Sequence, residues 1–317
     1  MTFRLLFFAL LATAMGQSVV MTTLPPLGRE VGLTEFQVAF LMSSSALMYA
    51  AGNALWSRVG KRKGYRRVLI TGLTGYTSGT LVFATVWLSG FQGWLVGTAL
   101  FIALTAARSG QATIMSATPP SVVGYAISIS ADHERVKAIS KVSSAHSLGQ
   151  ILGPTLAGLL VGFHLLTPLY AICLMTLTAL ILVWRFLPDN QNTPPPPQTQ
   201  KTGVAVTHSI RPYVPLVIGM NACVFLAVAM MQQSLAFFLI DHHGASTTEA
   251  AQGVGLAMMI SAVCALVVQF TLVQRTSMHP ANLIKLAFPL LSLGYLILYL
   301  HHDQSQLYFA MVFLGSG

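Results

Sequence analysis

Long apolar stretches separated by short polar segments dominate the sequence. Each is close to the roughly 20 residues that an α-helix needs to cross the hydrocarbon core of a bilayer. The pattern therefore predicts an all-α membrane protein with about ten transmembrane spans. The spans run from Leu5 to Thr23, Phe36 to Trp56, Val68 to Leu88, Trp94 to Ala117, Ile139 to Val161, Leu165 to Leu187, Val214 to Ile240, Gly253 to Val273, Leu283 to Leu300, and from Gln306 to the end.

The first apolar stretch follows Arg4, as the apolar region of a secretory signal peptide follows its basic residues. It continues beyond the usual length of such a region, and no clear small-residue cleavage site follows it. We interpret it as span 1, with a cleaved signal and nine spans as the alternative.

Composition and charge support a membrane location. The chain is 54% hydrophobic and only 8% charged, which excludes an ordinary soluble domain. Its net charge of +9 is concentrated at one membrane face, so it indicates topology rather than nucleic-acid binding. Of the 17 Lys and Arg residues, Arg29 falls at the other face, Arg108 falls within a span, and the other 15 share one face. Because basic loops stay in the cytoplasm, we predict a multi-pass inner (plasma) membrane protein with a cytoplasmic amino terminus. The 15 are Arg4, Arg58, Lys61, Arg62, Lys63, Arg66, Arg67, Arg135, Lys137, Lys141, Arg185, Lys201, Arg211, Arg275 and Lys285.

A polar, proline-rich segment divides the spans into two groups. We predict an N-terminal six-helix half over residues 1–187, a cytoplasmic linker over 188–213, and a second half over 214–317 that holds spans 7 to 10. Two halves of six helices around a central cavity is a common transporter layout. Since the sequence stops within an apolar stretch, we expect the second half to be incomplete at its carboxyl end.

The loop between spans 2 and 3, residues 56–69, resembles the signature loop of the major facilitator superfamily. Arg62, Gly64 and Arg66 match the family pattern, whereas Lys61 stands where an aspartate is usual. The resemblance implies the major facilitator fold and a role for this loop in closing the cytoplasmic side. The alternative is a basic loop that only sets topology.

Span 5 carries a second resemblance, over residues 145–158, to the motif of drug:proton antiporters of the multidrug or siderophore efflux type. Gly149, Gly153, Pro154 and Gly158 carry the match. Small residues at every fourth position leave one helix face nearly bare, so a neighbouring helix can approach its backbone. The alternative is ordinary small-residue packing, which does not explain the Gly-Pro pair.

Two further features match the family in part. Arg108 lies within span 4, where the family often has an arginine, and an arginine at that depth needs a partner, water or a protein surface. Arg108 and Gln17 of span 1 are substrate or proton candidates. The alternative is an arginine with a purely structural role, whose hydrogen bonds are satisfied by backbone carbonyls or by Gln17. The turn Asp132 to Arg135 resembles the family's acidic-Arg turn, and Arg135 either contributes to the cytoplasmic gate or caps span 5.

Other polar residues within or near spans complete the candidate set. His146 suits a proton carrier, since imidazole titrates near neutral pH, but it also suits hydrogen-bonded packing. Gln232 and Gln233 in span 7 either line the cavity or bond between helices, and Asp241 lies near the end of that span.

Every one of the eight acidic residues falls in a loop or at a helix end. Exporters of cationic drugs often carry a buried carboxylate that binds proton and drug in turn. The spans offer Arg108 instead, so we expect a neutral or anionic solute, such as a siderophore-like compound, although a drug stays open.

Taken with the resemblance, these features predict a secondary transporter that exports a small molecule by alternating access, coupled to protons. The alternatives are an importer of a sugar or organic acid and a nonfunctional truncated remnant. We expect a small-molecule substrate, protons and lipid as partners, and no nucleic acid, cofactor or metal. The three cysteines lie within spans, so no disulfide is expected, and no catalytic motif of a membrane enzyme is present.

Overall fold

The computed structural model describes residues 1–131, 134–189, 214–268, 271, 280–300 and 303–317. Over these residues the protein is all-helical, with eleven α-helices and no strand. The predicted linker therefore lies outside the described residues, except for Pro188 and Asp189. The helices are α1 (Thr2–Glu30), α2 (Glu35–Lys63), α3 (Tyr65–Phe91), α4 (Gly97–Met115), α5 (Thr118–Ser128), α6 (Arg135–Val161), α7 (Thr167–Phe186), α8 (Val214–His243), α9 (Thr247–Val268), α10 (Pro280–Leu300) and α11 (Gln304–Ser316).

Ten of these helices correspond to the predicted spans, and α5 is an additional helix that the prediction did not include. Span 4 was expected to run to Ala117; α4 ends at Met115 and α5 begins at Thr118. Pro119 and Pro120 follow directly in the sequence, and a proline has no amide hydrogen to continue a helix ladder. Of the described helices, seven are long and apolar enough to cross a membrane, namely α1, α2, α3, α7, α8, α9 and α10.

Local sequence signals explain the helix ends. Thr34 forms a capping box at the start of α2, where its hydroxyl accepts from the Gln37 amide at 3.3 Å and the Gln37 side-chain oxygen accepts from the Thr34 amide at 2.9 Å. Gly64 has a φ of 88° and lies between α2 and α3. A residue with a side chain rarely adopts that φ, so glycine permits the abrupt turn.

The long helix α1 lies at the centre of the molecule. It packs against α6 and α7 of the first group of helices and against α8 and α9 of the second. Its side chains are buried along most of its length, which fits a helix surrounded by protein. Leu24 and Leu27 of α1 share one apolar cluster with Phe237 of α8 and Ala251 of α9. The two groups of helices therefore share a core near the end of α1.

Two ends of the molecule are distinguished below. The "basic end" is the end with the α2–α3 turn, which carries Lys61, Arg62 and Lys63. The "opposite end" is the end at which α1 finishes at Glu30, α8 finishes at His243 and α9 begins at Thr247.

Candidate functional site

The glycine-rich face of α6 lies against α1. A Cβ atom on Gly149 would lie 2.6 Å from the Cβ of Ala14 and 2.8 Å from the Leu11 carbonyl oxygen. On Gly153 it would lie 2.6 Å from the Cβ of Ser18. Because real Cβ contacts are longer than this, the helices approach so closely only where α6 has no side chain. The Ser18 hydroxyl also donates to the Gln150 carbonyl oxygen at 2.9 Å.

The same helix touches α9 with its last turns. A Cβ atom on Gly158 would lie 2.9 Å from the Cα of Gly255, and one on Gly255 would lie 3.1 Å from the Pro154 carbonyl oxygen. The backbones of α6 and α9 are thus in direct contact. The motif residues Gly149, Gly153 and Gly158 place α6 between α1 and the second group of helices.

A small cavity of about 10 Å³ lies among the six helices α1 to α6, with enough space for roughly one water molecule. Gln17 and His146, predicted separately as candidates, both line it. Their neighbours there include two tyrosines that the sequence analysis did not single out, Tyr49 and Tyr76. The structure therefore brings two of the six substrate and proton candidates to one site.

Arg108 is buried beside this cavity, with only 3% of its surface exposed. Its Nη1 donates to the Gln111 side-chain oxygen at 2.6 Å, and its guanidinium lies over the Phe83 ring at 5.9 Å from the centroid. Gln111 in turn donates to the Thr80 hydroxyl at 2.6 Å. The arginine is thereby held by a neutral network, and no carboxylate pairs with it among the described residues.

Contact with Met115 joins Arg108 to the cavity. Met115 lines the cavity, and its sulfur lies 4.0 Å from Arg108 Nη1. Gln111, rather than the expected Gln17, is the amide that pairs with the arginine.

Two polar atoms at this place have no hydrogen-bond partner within the described part of the chain, the Tyr76 hydroxyl and Arg108 Nε. Both side chains are buried, with Tyr76 1% exposed. A buried donor without a partner is costly, so such atoms need a water or a ligand group to accept from them. The site thus offers donors from an arginine and a tyrosine beside an imidazole and an amide, and the small cavity has room for one water molecule that can accept from them.

The matched loop residues have separate roles at the basic end. Arg66 donates from Nε to the Leu187 carbonyl oxygen at 2.6 Å and from Nη2 to the Trp184 carbonyl oxygen at 2.8 Å. These carbonyls end α7, where no helical amide is left to bond them. Arg62 is exposed in the last turn of α2, and Arg135 begins α6. Asp132 and His133 of the predicted turn lie outside the described residues.

Polar pairs link the first and second groups of helices at the opposite end. Arg29 of α1 forms an ion pair with Asp241 of α8 and lies over the Phe237 ring at 5.8 Å. The Thr247 hydroxyl at the start of α9 donates to the Glu30 carboxylate. Asp241 is therefore at the surface and not at the small cavity.

The glutamines of α8 also lie away from the small cavity. Gln232 Nε2 contacts the sulfur of Met258 in α9 at 3.8 Å. Gln233 Oε1 is buried and has no hydrogen-bond partner within the described residues. A separate, open cavity of about 470 Å³ lies between α8, α9 and α11, with Glu249, Gln252 and Tyr308 in its lining.

Sequence reasoning missed Tyr49, Tyr76 and Gln111. A signal existed for Gln111, because it follows Arg108 by three residues and such residues share a helix face. Nothing in the sequence marks Tyr49 or Tyr76, since an aromatic residue in a membrane helix is usually part of the packing.

The comparisons with known proteins agree with this architecture. The Major Facilitator Superfamily model matches residues 6–317. None of the curated proteins is significantly similar to the sequence.

Three solved transporters have the same fold at low sequence identity. A bacterial homologue of the human lysosomal transporter Spinster, in an inward-facing and occupied conformation, has a TM-score of 0.70 and 14% identity over 99% of this chain and 70% of its own. A D-xylose-proton symporter has a TM-score of 0.69 and 17% identity over 99% and 79%. A nucleoside transporter has a TM-score of 0.66 and 14% identity over 100% and 79%. The helical architecture and the match over nearly the whole sequence lead to one conclusion: the chain belongs to the Major Facilitator Superfamily.

Proposed function

We propose that this protein is a proton-coupled secondary transporter that exports a small neutral or anionic molecule across the inner membrane by alternating access. The observation that carries the proposal is the buried Arg108 network, which supplies positive charge beside a cavity and has no carboxylate partner among the described residues. Such a site favours solutes that bring acceptors or negative charge.

The positions of the acidic residues support this choice of solute. Seven of the eight acids are described, and each lies at or near a helix end or in a loop. The spans therefore hold no described carboxylate for a cationic drug. A polycarboxylate or catecholate chelator of the siderophore type has the required chemistry, and so do many anionic metabolites.

Direction and coupling rest on the span-5 resemblance and on His146. The α6 segment that resembles the antiporter motif packs closely on α1 through Gly149 and Gly153 and on α9 through Gly158, as a helix at the junction of two moving halves would. His146 lines the cavity and carries an imidazole, the side chain whose ordinary pKa lies closest to neutral pH. In this proposal protons enter as the solute leaves.

We also propose the two-half division and the topology. Helices of residues 1–187 form one half and those from 214 onward belong to the other, joined on the cytoplasmic side. The basic end would face the cytoplasm, since Lys61, Arg62 and Lys63 lie there.

The experiment measures accumulation of neutral, anionic and cationic solutes, with iron chelators included, in cells with and without the gene. Lower accumulation of an anionic or neutral solute, abolished by a proton uncoupler and by Arg108→Gln, is expected. Arg67→Gln is the matched control, because Arg67 is exposed at the basic end. Net uptake instead of extrusion would overturn the proposed direction of transport. Extrusion of cations would overturn the proposed class of solute. Equal accumulation of every solute in cells with and without the gene would contradict transport.

A further inference from the structure

Arg108 carries a positive charge that no acidic side chain balances within the described part of the chain. Its side chain is 3% exposed, and the ion pair found among the described residues joins Arg29 to Asp241 at the surface. The partners of the guanidinium are the Gln111 side-chain oxygen and the Phe83 ring, which are both neutral. An arginine keeps its proton inside a protein, so it cannot avoid the cost of burial by becoming neutral. A negative ion beside it would remove much of that cost.

Two buried donors at this place have no hydrogen-bond acceptor among the described residues, namely Arg108 Nε and the Tyr76 hydroxyl. Tyr76 lines the small cavity, and the charge of Arg108 acts on its hydroxyl and on that of Tyr49, which also lines the cavity. Gly16 makes room for the Tyr76 hydroxyl, since a Cβ atom there would overlap with it. The hydroxyl therefore lies against the backbone of α1, whose next residue, Gln17, belongs to the same lining.

The lining of the cavity suits an anion in chemistry and in size. Its polar side chains are Thr13, Gln17, Tyr49, Tyr76 and His146, and none of them is acidic. Amide, phenol and imidazole groups can each direct a hydrogen atom at a negative ion. A space of about 10 Å³ holds one water molecule, and chloride is a single atom only slightly larger than water. A carboxylate or phosphate group has several heavy atoms and does not fit this space.

The surroundings strengthen the attraction and still allow an ion to enter. Met15 and Ile172 pack with Tyr76 in one buried apolar cluster, so little water screens the charge of the guanidinium. Gln17 and His146 are only half-buried, so an ion can reach the cavity from their side.

We propose that the small cavity binds a single halide ion, chloride in the cell, as the counter-ion of Arg108. The ion accepts from Arg108 Nε and from the Tyr76 hydroxyl, and the Gln17 amide and the His146 imidazole complete its shell. A water molecule is the competing occupant, because it can accept the same hydrogen bonds but brings no charge. The ion holds the guanidinium while no solute is bound, and an anionic solute displaces it when the helices around the cavity separate. This displacement step rests on the proposed function.

The test compares chloride with gluconate, an anion too large for the cavity. The full chain, purified in detergent, is transferred to sodium gluconate, and chloride is titrated in at constant total salt while the thermal midpoint is followed. Arg108→Gln removes the charge, and Tyr76→Phe removes one of the two donors. Arg67→Gln is the matched control, because it removes the same charge at the exposed basic end.

We expect a saturable rise of about 2–4 °C in the parent and in Arg67→Gln, the effect of a ligand that binds only the folded protein. Tyr76→Phe should need several-fold more chloride for half of its rise, and Arg108→Gln should show no saturable rise. Each variant is compared with itself in gluconate, so a change in its basal stability does not imitate loss of the ion. A parent without a saturable rise, or an equal rise in Arg108→Gln, would overturn the halide site.

Bromide locates the ion directly, because its anomalous X-ray scattering distinguishes it from water. Crystals grown in sodium bromide should show one anomalous peak in the cavity beside Arg108 and Tyr76, and crystals that show none there would contradict the site. For the displacement step, chloride should raise the concentration of anionic solute needed for half-maximal efflux. An unchanged concentration would overturn displacement.

The midpoint and bromide measurements use no solute, so they fail or succeed independently of transport. A chloride response in a protein that transports nothing would contradict only the transport proposal. Transport by a protein whose midpoint does not respond to chloride would contradict only the halide site.

Discussion

Gly158 of α6 and Gly255 of α9 are in contact backbone to backbone. Two further residues of α6 lie close to α9. The Pro154 carbonyl oxygen lies next to Gly255, and Gly162 lies next to the side-chain amide of Gln252. The helix that carries the antiporter-like sequence thus contacts the second group of helices, as α1 also does. It packs on α1 with Gly149 and Gly153 and on α9 with Gly158, which lies on a different side of the helix.

The Gly158–Gly255 contact predicts a strong size effect. Gly158→Leu should abolish transport, because a leucine side chain cannot fit between touching backbones and would separate α6 from α9. Gly219→Ala is the control, since a Cβ atom there meets nothing within 4 Å. Solute efflux from cells is the measurement. Full efflux by Gly158→Leu would contradict the role of this contact.

Packing of α6 on α1 predicts a loss of stability. Gly149→Val should lower the free energy of unfolding by about 1–3 kcal/mol, the usual cost of overpacking, because it meets the Leu11 carbonyl and the Ala14 side chain. The thermal midpoint in detergent should fall accordingly. Gly110→Ala, with open space around the added carbon, should have a midpoint close to that of the parent.

Substitutions in the Arg108 network should affect transport more than folding. Arg108→Lys keeps the positive charge but loses the planar set of guanidinium donors. Because the proposed solute is bound by the guanidinium, efflux should fall at least tenfold, which is equivalent to about 1.4 kcal/mol. Tyr76→Phe should weaken the apparent affinity several-fold, since it removes only the hydroxyl that lacks a partner. Dose-dependent efflux separates the two effects. Equal affinity for Tyr76→Phe would show that its hydroxyl does not contact the solute.

His146→Gln tests proton coupling. A glutamine keeps hydrogen-bonding groups but cannot titrate, so efflux driven by a pH gradient should become independent of that gradient. Reconstituted vesicles with imposed pH steps provide the measurement. If His146→Gln keeps the pH dependence of the parent, His146 is not the residue that couples transport to protons.

Arg66→Ala should destabilise the basic end. Arg66 satisfies two terminal carbonyls of α7, at Trp184 and Leu187, so its removal exposes the end of that helix. We expect a loss of about 1.5–3 kcal/mol, the range for hydrogen bonds that involve a charged group. Arg67→Ala removes an exposed neighbour with the same charge and should behave like the parent. Equal thermal midpoints for the two variants would contradict this capping role.

Helix positions were largely predictable because a bilayer requires long apolar segments, and such segments can be identified directly in the sequence. The glycines of α6 also predicted close helix packing, since a helix face without side chains has few other roles. Helix α5 was missed because it has only 11 residues, too few to cross a bilayer, so a search for apolar stretches of span length passes over it.

The site was less predictable because it depends on which helices become neighbours. His146 and Gln17 are far apart in sequence and meet only because α6 packs on α1. Asp241 was expected near a substrate, but its partner Arg29 lies 212 residues away, and no local pattern marks such a pair. The type of a side chain indicates which chemistry it can perform, whereas tertiary packing decides which residues it contacts.

The interruption between α4 and α5 leaves the Thr113 carbonyl oxygen available to other donors. The Trp56 indole Nε1 donates to it at 2.8 Å and the Ser116 hydroxyl at 2.7 Å. The emission wavelength of an indole shifts when its N–H group gains or loses a hydrogen-bond acceptor. The chain has only 4 tryptophans. Trp56 therefore reports on the interruption between α4 and α5. In a variant whose other three tryptophans are replaced by phenylalanine, its emission can follow movement of α2 against α4 during turnover without any attached dye.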